Sequence, residues 1–161
     1  MVLEVTAQGI VAFGLAVGLL VMVGTMDIKT RKVSNDIMAI AIAIGSLTGI
    51  VTGHLLDQAF LHLIAFIVTL LLVIPLFYKG AIGGADTKTV MLLAVISPGF
   101  EFGQYSDPIF EGILGVLVPL LVMFVMGSIY SKKKVSTDSR RTPLIPFLFI
   151  GYLIVQLLVL F

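Results

Sequence analysis

The sequence predicts an all-α, polytopic membrane protein with six transmembrane helices and both termini outside the cell. Of the 161 residues, 59% are hydrophobic and only 12% are charged, which is too little polar surface for a soluble domain of this length. Uncharged runs of roughly 18 or more residues are typical of transmembrane helices. No long polar stretch remains for a second domain, so residues 1–161 are predicted to form one membrane-embedded domain.

Six apolar segments predict the helices, in the order 7–26, 37–52, 59–77, 85–102, 109–130 and 143–161. Ser34 or Asn35 is a suitable N-cap for the second helix. Pro143 suits the first turn of the sixth helix, where its missing N–H costs nothing. The fourth segment is the least regular, because Lys88 and Pro98 interrupt it.

Glycines at a spacing of four residues occur in the first two helices. Gly14 and Gly18 lie in the first helix, and Gly45, Gly49 and Gly53 lie in or directly after the second. This spacing places glycines on one helix face, where two backbones can approach closely in lipid. The pattern therefore predicts packing seams between helices rather than a functional site.

All ten basic residues lie in or directly beside three of the connections. They are Lys29, Arg31, Lys32, Lys79, Lys88, Lys132, Lys133, Lys134, Arg140 and Arg141. The other connections and the N-terminus carry only acidic charges, among them Glu101 and Glu111. Basic connections stay in the cytoplasm, so the first, third and fifth connections are predicted to be cytoplasmic. Contact with anionic membrane lipids is a second interpretation of the same basic residues.

Two aspartates lie where an apolar segment meets a basic connection. Asp27 follows the first segment, and Asp86 follows Gly83 and Gly84 at the start of the fourth. Carboxylates are costly at membrane depth and by default indicate a functional site. The glycines permit positive φ angles and close backbone approach. The alternatives are an ordinary helix cap for Asp86 and a solvated interfacial charge for Asp27, although Lys88 beside Asp86 also needs a partner or must extend to the surface.

Because the predicted topology places both aspartates at the cytoplasmic face, they predict a dyad that shares one proton. The ionised member takes a proton from a water molecule, which attacks a peptide carbonyl, and the protonated member polarises that carbonyl. Asp86 begins a helix and Asp27 ends one. The helix dipole therefore predicts that Asp86 is the ionised base and Asp27 the protonated acid.

Three segments resemble motifs of the type IV prepilin peptidases. Asp-Ile-Lys-Thr-Arg-Lys-Val-Ser-Asn at residues 27–35 resembles their first catalytic motif. Gly-Gly-Ala-Asp-Thr-Lys at 83–88 resembles their second, a Gly-x-Gly-Asp (GxGD) motif shared with preflagellin (prearchaellin) peptidases. Thr-Pro-Leu-Ile-Pro-Phe at 142–147 resembles the segment that opens their last helix.

This resemblance implies a GxGD-type aspartic protease fold. It also implies removal of the short basic leader from type IV prepilin-like or prearchaellin precursors, which would be the protein partners. The implied catalytic pair is Asp27 and Asp86. Supporting roles are implied for Thr30, Asn35, Gly83, Gly84, Ala85 and Lys88, and substrate binding for Pro146 and Phe147. From charge alone, Asp36 or Asp138 is the candidate to bind the basic leader.

The chain departs from the family pattern in several places. Ser34 stands where the family usually has proline, and Ala85 stands where it usually has glycine. The chain has no cysteine and none of the cysteine-rich methyltransferase region of the large bacterial enzymes. We therefore expect a compact, archaeal-type peptidase without N-methylation activity, without a cofactor or metal, and without a nucleic-acid partner. His54 and His62 are predicted to be interfacial residues, and Tyr152, inside the last helix, needs a hydroxyl partner.

Two other functions fit the same aspartates. A small ion- or proton-coupled transporter would use Asp27 and Asp86 as a carboxylate relay, and would place them near the membrane centre. A non-catalytic pilus-assembly subunit would tolerate loss of either aspartate. The sequence leaves the particular precursor and the oligomeric state open.

Overall fold

A computed structural model describes residues 2–3, 5–30, 32–104, 107–133 and 142–158 of the chain. The described residues form α1 (Ala7–Thr30), α2 (Asn35–Thr52), α3 (His54–Asp57), α4 (Ala59–Tyr78), α5 (Gly84–Ile96), α6 (Pro108–Lys133) and α7 (Ile145–Leu158). A two-residue strand, β1 (Val2–Leu3), pairs antiparallel with β2 (Gly103–Gln104). The predicted all-α class is therefore confirmed apart from this short ladder. Of the predicted basic residues, Arg31, Lys134, Arg140 and Arg141 lie outside the described residues.

Four helices, α1, α2, α4 and α6, are long and apolar enough to cross a membrane. Large apolar side chains point outward from them, for example Leu47, which is 63% exposed, and Leu71, which is 69% exposed. The chain is therefore a multi-pass helical membrane protein. The other two predicted spans are shorter helices, since α5 has 13 residues and α7 has 14.

The helices α1, α2, α4, α6 and α7 form a ring around α5. Around the ring, α1 packs on α7, α7 on α6, α6 on α4, and α2 lies between α5 and α1. α5 contacts all five of these helices, and most of its residues after Ala85 are buried. Since protein rather than lipid surrounds α5, this helix does not have to match the thickness of the bilayer.

α5 ends six residues earlier than predicted, at Ile96 instead of residue 102. The cause is Pro98, whose ring disfavours helical backbone at the preceding residue. Ser97 accordingly has φ −149° and ψ 79°, outside the helical region. Residues 97–101 therefore run as non-helical chain inside the bundle.

Side chains from α6 and α7 satisfy the backbone of this non-helical segment. Glu111 accepts the Phe100 N–H at 3.0 Å. Gln156 accepts the Glu101 N–H at 2.9 Å and donates to the Gly99 carbonyl at 2.9 Å. Buried backbone groups without partners are costly, so these bonds stabilise the non-helical segment. Two acidic residues that the sequence analysis assigned to outer connections, Glu101 and Glu111, are thus buried structural groups.

Capping hydrogen bonds stabilise the start of α2 and the end of α4. The predicted N-cap is confirmed, because Ser34 Oγ accepts the Ile37 N–H at 3.3 Å. α4 ends at Tyr78 and is followed by Gly80, whose φ of 70° is left-handed. There the Ala81 N–H bonds the Leu76 carbonyl at 2.9 Å, as in a Schellman motif.

The start of α7 differs from the prediction. Pro143 precedes the helix, which begins at Ile145, so its predicted place in the first turn is wrong. Pro146 occupies the first turn instead, where a residue without an N–H loses no helical hydrogen bond.

The prediction of glycine packing contacts is correct for α2 but not for Gly14 and Gly18 of α1. A Cβ on Gly45 would overlap Ile96 of α5, and one on Gly49 would lie 3.2 Å from Leu55, so α2 packs closely through these positions. By contrast, added Cβ atoms on Gly14 and Gly18 would meet nothing within 4 Å in the described structure. Gly14 and Gly18 therefore face outward, and the prediction is wrong for this pair.

Candidate active site

Asp27 lies in the last turn of α1 and is only 8% exposed. The helix extends to Thr30, past the predicted end at residue 26, so Asp27 is inside the helix rather than after it. The Thr30 hydroxyl lies 2.9 Å from the Met26 carbonyl, and also contacts the main chain of Lys32. These contacts close the end of α1 directly after Asp27.

Asp86 is the third residue of α5 and is 9% exposed. Its Oδ2 accepts the N–H of the N-cap residue Gly83 at 3.0 Å. Asp86 therefore does act as a helix cap, as the simpler alternative expected. Most capping side chains lie at the surface, however, whereas this one is buried.

The glycines before Asp86 serve a different purpose from the predicted one. Gly83 has φ −81°, which any residue can adopt, so positive φ does not explain it. A Cβ on Gly83 would lie 2.9 Å from Asp86 Oδ2, and glycine therefore leaves the space that the carboxylate occupies. Gly84 is exposed, and Ala85 is half-buried against the core.

Lys88 and Asn35 join the two motif segments. The Lys88 ammonium donates to Asn35 Oδ1 at the start of α2, which supplies the partner that Lys88 was expected to need. The start of α5 and the α1–α2 connection thus lie at the same end of the bundle. A Cβ added to Gly24, one turn before Asp27, would lie 3.8 Å from Ile145 at the start of α7. All three segments that resemble family motifs meet at this end.

A pocket of about 500 Å³ opens beside Asp86. Its volume is typical of a ligand site. It is lined by Gly80, Ala81, Ile82, Gly83, Asp86, Phe124, Gly127, Ser128, Ser131, Lys132, Thr142 and Leu144. The contribution of α6 was missed by the sequence analysis, because Gly127 and Ser128 carry no distinctive signal.

The predicted substrate-binding residues lie around this end of the bundle. Asp36, the second residue of α2, is exposed, and the alternative, Asp138, lies outside the described residues. Pro146 is half-buried in the first turn of α7. Phe147 packs on Tyr130 with ring centroids 5.8 Å apart, and lies 4.0 Å from a Cβ built on the pocket residue Gly127.

A second group of buried polar residues lies at the opposite end of the bundle. His54 and His62 are 1% and 8% exposed, so both face the protein interior. The His54 imidazole Nε2 lies 3.5 Å from Glu101 Oε2. Tyr152 has the hydroxyl partner that it was expected to need, Ser97 Oγ, at 2.8 Å. The interruption at Pro98 was the only signal in the sequence for this group.

The fold and the site define a multi-pass helical membrane protein with two buried carboxylates and a pocket beside one of them. A sequence model of the Type IV leader peptidase family matches residues 14–160. Because the match covers nearly the whole chain, the protein belongs to this family and is a peptidase. The resemblance inferred from the three motif segments is thereby confirmed. Comparison with curated proteins and with solved structures gave no match.

Proposed function

We propose that this protein is an aspartic endopeptidase of the cell membrane. It removes the short basic leader from type IV prepilin-like or prearchaellin precursors at the cytoplasmic face, with both of its own termini outside. The observation that carries this proposal is the burial of two carboxylates, Asp27 at 8% and Asp86 at 9% exposure, on helices that pack together. Family membership supports a leader peptide as the substrate.

Asp86 is the general base in this mechanism. The Gly83 N–H bonds its Oδ2, and the start of α5 adds the positive end of the helix dipole, so both favour the ionised carboxylate. Asp27 lies in the last turn of α1, where the dipole favours the neutral acid. Asp86 takes a proton from water, the water oxygen bonds the scissile carbonyl carbon, and Asp27 donates its proton to the carbonyl oxygen. When the C–N bond breaks, the leaving amine takes the proton held by Asp86, and one hydroxyl group of the intermediate returns a proton to Asp27 as the carboxylic acid product forms.

The substrate chain enters the pocket beside Asp86, between α5 and α6. Small side chains such as Gly127 and Ser128 leave room there for an extended backbone. Lys132 also lines the pocket, and its charge disfavours basic residues inside it. We therefore expect the basic part of the leader to lie outside the pocket, near exposed Asp36, with Pro146 and Phe147 bordering the apolar part.

Lys88 and Asn35 have a positioning role. Their contact links the connection that follows Asp27 to the helix that begins beside Asp86. Thr30 contributes by closing α1. None of these three side chains needs to touch the substrate for the site to work.

The proposal is tested with protein reconstituted in lipid vesicles and a precursor that carries a basic leader followed by an apolar helix. Asp27→Asn and Asp86→Asn should each lower the cleavage rate by at least about a hundredfold, as expected on loss of a general acid or base. Asp57→Asn is the matched control, because Asp57 is exposed on α3 at the opposite end. It should cleave at the wild-type rate.

Thermal unfolding of each variant shows whether its fold is retained. Cleavage that survives either substitution at Asp27 or Asp86 would refute the dyad and favour a non-catalytic assembly subunit. Proton uptake into the vesicles that depends on both aspartates, without cleavage, would favour a transporter.

A further inference from the structure

The ring of helices around α5 is open on one side. α2 and α4 both pack on α5, but they are joined through α3 at one end and do not pack closely on each other along their lengths. The other neighbours of α5 follow one another around it without such a gap, since α2 packs on α1, α1 on α7, α7 on α6 and α6 on α4. A groove between α2 and α4, with α5 as its floor, therefore faces the surrounding membrane.

One face of α5 forms the floor of this groove. After Asp86, the residues of α5 that are only half-buried are Thr87, Lys88, Met91 and Val95, whereas the others are buried. Spacings of three and four residues place these four side chains on one helix face. The protein thus covers α5 on every side except along this face.

Contacts on both sides place this face between α2 and α4. On one side, the Lys88 ammonium donates to Asn35 Oδ1 at the start of α2. On the other side, a Cβ added to Gly84, one turn before Lys88, would lie 3.7 Å from the Phe77 ring of α4. Phe77 is itself 46% exposed, so it adds apolar surface at the edge of the groove.

The groove is separate from the candidate active site. Asp86 lies two residues before Lys88, and successive residues of an α-helix are about 100° apart. The two side chains therefore leave α5 on nearly opposite sides. None of the four residues of the half-buried face lines the pocket beside Asp86, which is formed by the α4–α5 connection, α6 and the start of α7. The path of the peptide substrate into that pocket does not explain the groove.

Positive charge is confined to one end of the groove. Lys88 lies at the basic end of the bundle, and Lys79, which follows α4, is exposed at the same end. The sequence has no lysine or arginine at residues 33–78 or 89–131, so the rest of the groove carries no positive side chain. From Lys88 to Val95 the floor is about 10 Å long, which lies within the roughly 15 Å of hydrocarbon in one leaflet of a bilayer.

The Lys88 ammonium can bind more than Asn35. It carries three N–H donors, and the Asn35 amide that accepts from it is neutral. Among the described residues, no carboxylate forms an ion pair with Lys88, and this includes Asp36, the neighbour of Asn35. A half-buried ammonium without a counter-charge at the edge of an apolar groove favours an anionic ligand.

We propose that the groove between α2 and α4 binds an anionic phospholipid, with the phosphate on Lys88 and an acyl chain along Met91 and Val95. A phospholipid has the same division as the groove, with negative charge at one end and hydrocarbon beyond it. A transmembrane helix, by contrast, presents about 30 Å of apolar length and offers no anion to Lys88. The lipid site does not depend on the proposed peptidase activity.

Tryptophan fluorescence tests the site, because the chain has no tryptophan. Met91→Trp places the only such fluorophore on the floor of the groove. The variant is reconstituted in phosphatidylcholine vesicles in which part of the lipid is replaced by brominated phosphatidylglycerol or brominated phosphatidylcholine, since bromine quenches tryptophan on contact. We expect the anionic lipid to bind about fivefold more strongly, which is the effect of one lysine beside an anionic headgroup.

Three changes, each made together with Met91→Trp, separate the charge of Lys88 from its structural contact. Lys88→Met should abolish the preference for anionic lipid. Asn35→Ala breaks the same contact but leaves the ammonium, so the preference should remain. Lys29→Met is the matched control, because it removes one charge from the same end of the bundle at an exposed position of α1. It should also keep the preference.

Leu71→Trp gives the reference for ordinary contact with bulk lipid, because Leu71 of α4 is 69% exposed. It should be quenched equally by the two lipids. A preference at position 71 as large as that at position 91 would overturn the site, and so would a preference in Met91→Trp that survives Lys88→Met. Absence of quenching by either lipid at position 91 would also overturn it, and would favour a second copy of the chain or the substrate helix as the occupant.

Native mass spectrometry of the detergent-solubilised protein keeps the proposal testable if Met91→Trp does not fold. Wild type purified from phosphatidylglycerol-containing vesicles should retain one phosphatidylglycerol per chain. Lys88→Met should lose it, and Lys29→Met should retain it. Equal retention in these two variants would contradict the lipid site.

Discussion

Gly83→Ala tests whether the exact position of the Asp86 carboxylate matters for cleavage. An added Cβ would lie 2.9 Å from Asp86 Oδ2, closer than such atoms normally approach. Alanine tolerates the backbone of Gly83, φ −81° and ψ 163°, so backbone strain adds nothing. The side chain of Asp86 must therefore move by a few tenths of an ångström, which weakens its bond from the Gly83 N–H.

The expected effects on stability and on catalysis differ in size. Loss of one capping hydrogen bond costs about 1 kcal/mol of unfolding free energy. Small displacements of a catalytic group, by contrast, lower rates by up to about a hundredfold. We expect Gly83→Ala to lower kcat for leader cleavage by roughly ten- to a hundredfold, with little change in KM, measured in vesicles alongside thermal unfolding.

Two glycine variants separate these effects. Gly84→Ala places its Cβ 3.7 Å from Phe77, an ordinary contact, and should lose much less activity. Gly53→Ala forces alanine into a left-handed φ of 81° at the opposite end of the bundle. It should cost about 1 kcal/mol of stability without lowering kcat. Wild-type kcat in Gly83→Ala, together with the loss of stability, would refute the placement of Asp86 by Gly83.

Three further predictions follow from contacts elsewhere in the chain. Lys88→Met and Asn35→Ala should each lower the cleavage rate. In thermal unfolding, the double variant should show a coupling energy of about 0.5–1.5 kcal/mol between the two positions. Additive effects of the two substitutions on stability would exclude the Lys88–Asn35 link. Gly9→Ala should destabilise the fold by about 1–3 kcal/mol because its Cβ would overlap the Glu101 carbonyl, whereas Gly14→Ala, with open space around it, should be neutral. Burial raises the pKa of Glu101 from 4.5 to about 8. The stability that the neutral acid contributes is therefore complete below pH 4.5 and is lost as the pH rises to 8. The melting-temperature difference between wild type and Glu101→Gln should shrink over that interval, and a constant difference would contradict this prediction.

Part of the candidate site could be predicted from residues that are close in the sequence. Asp27 and Asp86 were identified as costly charges at helix ends, and both are buried at the same end of the bundle. The need of Lys88 for a partner was also visible in the sequence, although the choice of Asn35, 53 residues away, was not. The glycines before Asp86 were expected to allow positive φ, which proved unnecessary at Gly83; Gly83 instead leaves space for the Asp86 carboxylate.

The sequence by itself determined the helical membrane class, the approximate helices and the family, because apolar runs, caps and motif residues act over a few neighbouring positions. Only the tertiary structure decided that α5 is a short helix at the centre of the ring, that α6 lines the pocket beside Asp86, and that Glu101 is buried. The physical reason is that each of these depends on contacts between distant positions. Gln156, for example, bonds Glu101 from 55 residues away, and burial there changes an acidic residue of an apparent outer connection into part of the core.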